Sequence, residues 1–252
     1  MTQFRPSRFQ TLPTVVKNLI IVNVLVLIAQ HFVANKFFNF EDTFALHSWQ
    51  SEFFKPWQLV THMFMHSTES IGHIFSNMLA LYFFGSVLEN VWGAKRFFIF
   101  YIVCGLGAAL CHLTALYFEN QAMLSALQNA VDAESLQHFV NKYGSRIQVS
   151  GSYTANDISA ILINGATLGA SGAVFGCLAA FGYLFPNTDI YLYFFIPLKA
   201  KWFVLLYAGF EIAMTVRNSA GDNVAHIAHL GGALVGFILV YYWNRSNRKH
   251  FY

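Results

Sequence analysis

Charge is what this chain has least of. Asp, Glu, Lys and Arg make up only 11% of its 252 residues, while hydrophobic residues reach 56%. A soluble domain carries roughly 25% charged residues, so a chain this poor in charge would turn large apolar areas toward water; lipid is the solvent that fits. Aromatic residues at 17%, with 27 Phe, point the same way. The formal charge of +3 is small and sits mostly in loops, which excludes the concentrated basic face that nucleic-acid binding needs. Cysteine is scarce as well. Cys104, Cys111 and Cys177 all fall in apolar stretches, with neither a disulfide framework nor a paired CxxC metal site, and read as small packing residues. Internal repeats and low-complexity tracts are missing too. The first apolar stretch follows Arg5, Arg8 and Lys17 but lacks a convincing small-residue cleavage site, so it is read as a retained span rather than a signal peptide.

What the chain does have is a series of apolar runs. About 20 such residues cross the hydrocarbon core as a helix. Candidate spans are 15–33, 73–92, 97–118, about 158–185, 202–216 and 224–243. The expected fold class is therefore all-α, a polytopic membrane protein with a six-transmembrane-helix bundle over 15–243. A short cytoplasmic segment, 1–14, precedes it and a basic cytoplasmic tail, 244–252, follows. The fifth span is short. In the fourth, Gly165 and Gly169 confine regular helix to the part after Gly169. The run 190–198 is too short to cross and is assigned to the interface.

Basic residues test the count, because cytoplasmic loops carry the excess of Lys and Arg. Six spans with both termini inside place Arg5, Arg8, Lys17, Lys95, Arg96, Lys199, Lys201, Arg245, Arg248 and Lys249 inside. Lys36, Lys55, Lys142, Arg146 and Arg217 fall outside. Between the third and fourth spans lies a polar segment, 119–157, treated as an extended outer loop. Leu124, Leu127 and Val131, then Leu136, Phe139, Val140 and Tyr143, recur at helical spacing before Gly144, a helix stop. Amphipathic helices on the membrane surface and a water-exposed loop with a small hydrophobic cluster fit equally well.

Strongly polar side chains inside a span are costly, and each is a functional candidate by default. His73 and Asn77 open the second span, four residues apart and so on one helix face. Ser171 starts the regular part of the fourth, within Gly169-Ala170-Ser171-Gly172. His226 and His229 open the sixth, in Ala225-His226-Ile227-Ala228-His229-Leu230-Gly231-Gly232. The second, fourth and sixth spans all run from outside to inside, so these groups share one side of the membrane at similar depth. A serine, a histidine and side-chain donors are what acyl transfer requires: the imidazole takes the hydroxyl proton, and preorganised donors meet the oxyanion. Gly169 and Gly172 permit an irregular helix start and close approach of a peptide backbone. The runs 172–176 and 232–236 are both GxxxG, a pattern that lets membrane helices pack backbone to backbone and would draw Ser171 toward His229.

Gly-Ala-Ser-Gly at 169–172, His-x-x-x-Asn at 73–77 and Ala-His-Leu-Gly-Gly at 228–232 resemble the three signatures of rhomboid proteases, in family order and on the expected spans. The run Thr61-His62-Met63-Phe64-Met65-His66 is also similar to the family's stretch ahead of its second helix. The resemblance implies a serine–histidine dyad without an acidic third member. Ser171 would be the nucleophile and His229 the general base; His73 and Asn77, with the Ser171 backbone N–H, would hold the oxyanion. His229 is preferred to His226 because it directly precedes the Leu-Gly-Gly stretch. Two departures stand out: Trp57-Gln58 replaces the family's frequent Trp-Arg, which puts the outer loop's polar anchoring in doubt, and 119–157 is longer than the loop of compact members.

His62 and His66 are read as structural supports of the outer loop or of His73. His112 and Glu211 lack a motif and are assigned internal polar contacts. The functional expectation is an intramembrane serine endopeptidase that cleaves transmembrane segments of other proteins; the alternative is an inactive relative that binds such segments without cutting. A metal or ion transporter is disfavoured, since no HExxH occurs and no carboxylate accompanies the histidines at ligand spacing. No metal or organic cofactor is expected. Substrates should carry helix-weakening residues and a small residue before the scissile bond, as the resemblance implies. The outward ends of the second, fourth and sixth spans should enclose a polar cavity that admits water. Short basic tails fit a bacterial inner membrane.

Overall fold

The structure is a computed structural model that describes residues 9–33, 39–129, 134, 138–139, 155–192, 195–217 and 225–247. Helices occupy all six expected places. They are α1 (Thr14–Val33); α4 (Ile71–Ala80), continued by a π turn (Leu81–Gly85) into α5 (Ser86–Trp92); α6 (Ala94–Gln128); α8 (Ser171–Leu184); α9 (Ala200–Arg217); and α10 (His226–Asn247). Shorter elements are α2 (Phe40–Phe44), α3 (Gln58–Thr61) and α7 (Ala155–Asn164), with strands β1 (Leu46–His47), β2 (Ala166–Thr167), β3 (Asp189–Leu192) and β4 (Ile196–Lys199). Among the described residues, four runs are long and apolar enough to cross a membrane by themselves: Thr14–Phe32, Ile71–Trp92, Ala94–Gln128 and His226–Arg245. The mostly helical membrane class stands, while α8 and α9 join the bundle as shorter helices.

Three local expectations change. The third helix does not stop at 118. Residues 119–128 contain neither Gly nor Pro, so the helix continues after its apolar run ends and reaches 35 residues, about 52 Å at 1.5 Å per residue. Met123 and Leu127 of its last turns form a separate buried cluster with Phe139, Ile158 and Leu162, which matches the small-cluster reading; Val131, Leu136, Val140, Tyr143 and Gly144 lie outside the described residues. The fourth expected span divides into α7, β2 and α8, with the break at the two glycines. The interfacial run is an antiparallel hairpin, β3 with β4, in the register Ile190↔Leu198.

The core gathers around α8, whose residues from Gly172 to Gly182 are all buried. Small residues explain the closeness. A Cβ at Gly236 would come within 2.6 Å of Gly176 O, and one at Gly107 within 2.6 Å of Val235, so α8 and α6 each press against α10. Free Cys104 and Cys177 are buried in the same layer, consistent with packing roles. At the start of α1 the buried Glu89 carboxylate accepts from Val15 N (2.9 Å) and Val16 N (2.8 Å), which ties α1 to α5 by satisfying N–H groups that a helix start leaves open.

The outer loop is organised around Gln58, which is fully buried. Its Nε2 donates to Asp42 O (3.0 Å) and Phe53 O (2.9 Å), and its Oε1 accepts from Lys55 N (3.2 Å) and His47 N (3.3 Å). The doubt raised by the missing arginine is therefore resolved: a neutral amide with both donors and an acceptor anchors this loop. Strand β1 then pairs with β2, Leu46 opposite Thr167, and so fixes the segment that leads into Ser171.

Candidate active site

Ser171 is the first residue of α8. At 14 residues that helix rises about 21 Å, less than the hydrocarbon thickness of about 30 Å, so it does not reach across the bilayer by itself. Gly169 makes the approach with φ +134, a conformation that L side chains rarely adopt. A Cβ there would also lie 3.0 Å from His73 Nε2. The Gly169 N–H donates to His62 O (3.0 Å). The first helical bond of α8 runs from Val174 N to Ala170 O (3.1 Å), so the preceding N–H groups point toward the space beside the serine.

Ser171 Oγ lies 2.8 Å from His229 Nε2, the distance of an O–H···N hydrogen bond. These residues come from the N-terminal ends of α8 and α10, which the four glycines of the paired GxxxG runs bring together. Phe175, one turn after Ser171, stacks on the His229 ring at 4.2 Å and 6°, fixing its plane. His226 takes another partner: its Nδ1 is 2.6 Å from Glu211 Oε2. The structure thus separates the two histidines as expected.

His73 faces the same space. Ser67 N–H donates to its Nδ1 (3.2 Å), so Nε2 carries the ring proton and is the atom that confronts Gly169. The His66 ring packs against it at 5.0 Å, and Gln30 of α1 clamps the His66 backbone, donating to His66 O (2.9 Å) and accepting from His66 N (3.0 Å). Asn77 is buried, and one of its two amide hydrogens goes to His73 O (2.9 Å), which stiffens the turn that carries His73. His112 Nε2 is 2.8 Å from Thr167 Oγ1, linking α6 to β2.

Glu211 makes the internal polar contacts expected of it, and its partners are two histidines of α10. It is almost fully buried on α9, and the same Oε2 that meets His226 lies 3.1 Å from His229 Nδ1. His229 Nδ1 has no well-aligned hydrogen-bond partner, so this second contact is a close polar approach at an angle rather than a formed hydrogen bond. A carboxylate does accompany the histidines after all. It arrives from a different helix, where sequence spacing cannot register it. The ligand atoms of Glu211, His226 and His229 lie within 4.8 Å of one another, the group among the described residues with donors close enough to hold a cation.

Space of about 230 Å³ opens between α6, α7, α9 and α10, lined by His112, Asn120, Thr167, Thr215 and His226 among others.

A Rhomboid domain family model matches residues 54–246. Rhomboid protein 1, mitochondrial, of Saccharomyces cerevisiae is 28% identical over 73% of this chain and 41% of its own length. RHOMBOID-like protein 12, mitochondrial, of Arabidopsis thaliana is 30% identical over 77% and 47%. Rhomboid protease AarA of Providencia stuartii is 26% identical over 73% and 54%. The matches span about half the length of these relatives. The chain belongs to the rhomboid family and is a multi-pass membrane protein. Since relatives of mitochondrial name stand beside the one from Providencia stuartii, the comparisons weigh against reading a bacterial inner membrane from the tails.

Proposed function

We propose that the chain is an intramembrane serine endopeptidase acting on transmembrane segments of other proteins. The observation that carries the reading is the 2.8 Å approach of Ser171 Oγ to His229 Nε2 at the N-terminal ends of two helices. His229 takes the Ser171 proton as the oxygen attacks the scissile carbonyl, and returns it to the leaving amine. Negative charge on the former carbonyl oxygen is met by the Ser171 backbone N–H, His73 Nε2–H and the second amide hydrogen of Asn77. Water then attacks the ester carbonyl of the acylated Ser171; His229 takes the water proton and hands it to Ser171 Oγ as the carboxylic acid product leaves. The substrate must be extended at the cut, which favours segments with helix-weakening residues. Both termini, 1–14 and 244–252, are assigned to the cytoplasmic side.

The test is labelling of purified protein in detergent by a fluorophosphonate probe. Wild type should label, whereas Ser171→Ala and His229→Ala should not, with all three equally folded. Folded wild type that stays unlabelled would overturn the proposal and favour a relative that binds membrane segments without cutting them.

A further inference from the structure

We infer that Glu211 is a positioning residue for the Ser171–His229 pair, held in place by His226, so that three side chains rather than two prepare the serine. The inference rests on the function proposed above. For His229 to accept the serine proton, Nε2 must be bare, and the neutral ring then carries its hydrogen on Nδ1. A buried N–H needs an acceptor. Phe175 covers the ring face, and the atom presented to Nδ1 is Glu211 Oε2 at 3.1 Å. The contact is off-line at rest, as hydrogen bonds in unliganded active sites often are before substrate tightens them.

A buried carboxylate costs several kcal/mol to desolvate unless it is paired. Here His226 donates from Nδ1 at 2.6 Å, a short charge-assisted bond that fixes Oε2 where His229 needs it. When the Ser171 proton moves to His229 Nε2, the ring becomes a cation beside a fixed negative charge in a medium that screens little. Glu211 stays ionised throughout; it orients and stabilises the ring and takes no proton, the part that an aspartate plays in soluble triads.

The competing occupant of this cluster is a divalent cation. Two ligand atoms bound to one zinc at about 2.0–2.2 Å each stand more than about 3 Å apart. The 2.6 Å between Glu211 Oε2 and His226 Nδ1 is instead a direct hydrogen bond.

The experiment measures fluorophosphonate labelling rates of wild type, Glu211→Gln and Glu211→Ala in detergent, resolved into the limiting rate and the probe concentration at half-rate. Thermal unfolding is followed in parallel. Glu211→Gln should cut the limiting rate by roughly 10²-fold, short of the 10⁴ known for a triad acid, with the half-rate concentration unchanged. Added formate should restore part of the rate to Glu211→Ala, reaching the vacated space through the cavity beside His226. A merely structural glutamate would give a folded but slow Glu211→Ala protein that formate does not help, and that result would overturn the inference. Loss of wild-type labelling on chelation with EDTA, regained with Zn²⁺, would also overturn it in favour of a metal centre. A labelled wild type beside an equally fast Glu211→Gln removes this inference alone, whereas an unlabelled wild type removes the proposed function as well.

Discussion

Gly232 on α10 and Gly172 on α8 meet backbone to backbone: a methyl group at Gly232 would overlap the Gly172 carbonyl. One turn further, Gly236 meets Gly176 in the same way. The closeness of Ser171 to His229 is therefore a consequence of helix packing, with no loop needed to bridge them. Gly232→Ala should push α10 outward, cost about 1–3 kcal/mol as an overpacked interface and lower probe labelling more than tenfold. Gly209 on α9 has open space where a Cβ would go, so Gly209→Ala should leave stability and labelling intact. Equal behaviour of the two variants in thermal unfolding and labelling would refute the packing argument.

Gln58 should matter more than its position on a loop implies. Gln58→Leu removes two donors and one acceptor from backbone partners that are buried at His47 and half-buried at Asp42 and Phe53, and a buried group left unsatisfied costs about 1–3 kcal/mol. The expected result is a large drop in the unfolding midpoint and faster proteolysis between α1 and α4. Gln58→Arg keeps the donors but leaves Lys55 N and His47 N without their acceptor, so it should fall between wild type and Gln58→Leu. A midpoint for Gln58→Leu matching wild type would show that the loop is held by other contacts.

How much was legible follows from the kind of signal each residue gives. Ser171, His229, His73 and Asn77 stand in short motifs at helix starts, and alternation of spans across the membrane put those starts on one side without any coordinates. The pairing of His229 rather than His226 with the serine followed from the glycines after it. Glu211 was different. A charged residue in an apolar run flagged itself as costly, yet its partners lie 15 and 18 positions away on another helix, and no fixed spacing encodes that meeting. Gln58 left the loop's polar anchoring in doubt, because a motif comparison names the missing arginine but not the backbone groups that a glutamine's donors and acceptor meet. Hydropathy ended the third helix at 118 because it reports where lipid ends; a helix without breakers continues regardless.

Histidines of the outer loop should make stability depend on pH. Burial holds the His62 ring at about 4; burial, reinforced by the charge of His73, holds His66 at about 4. Both start from 6.5 in the unfolded chain. Their folded values are depressed, so the unfolded state binds protons first as pH falls. The stability at stake is intact above pH 6.5 and is lost progressively down to about 4. Carboxylates titrate near 3.9–4.3, so the decline between about pH 6.5 and 5 belongs to histidines. Thermal unfolding in detergent should show a midpoint that is flat above pH 7 and falls below 6.5. His62→Gln should flatten the slope in that window, and an unchanged slope would remove His62 from the account.

The oxyanion donors should separate by what holds them. His73 offers Nε2–H because Ser67 N–H occupies its Nδ1, whereas Asn77 uses one amide hydrogen to brace His73 O and, in the proposed mechanism, turns the other toward the oxyanion. Removing one donor from a preorganised oxyanion site costs about 2.7–4 kcal/mol in the transition state, a loss of about 10²–10³-fold in turnover. Asn77→Ala should reach at least that range, because the turn that carries His73 also loosens. His73→Ala should lose a similar amount without disturbing Asn77. The two losses should then be less than additive, since Asn77 acts partly through His73. Cleavage of a transmembrane peptide by both single variants and the double variant measures this directly. Full activity in the double variant would remove both residues from the site; strictly additive losses would leave them as donors but cut the link between them.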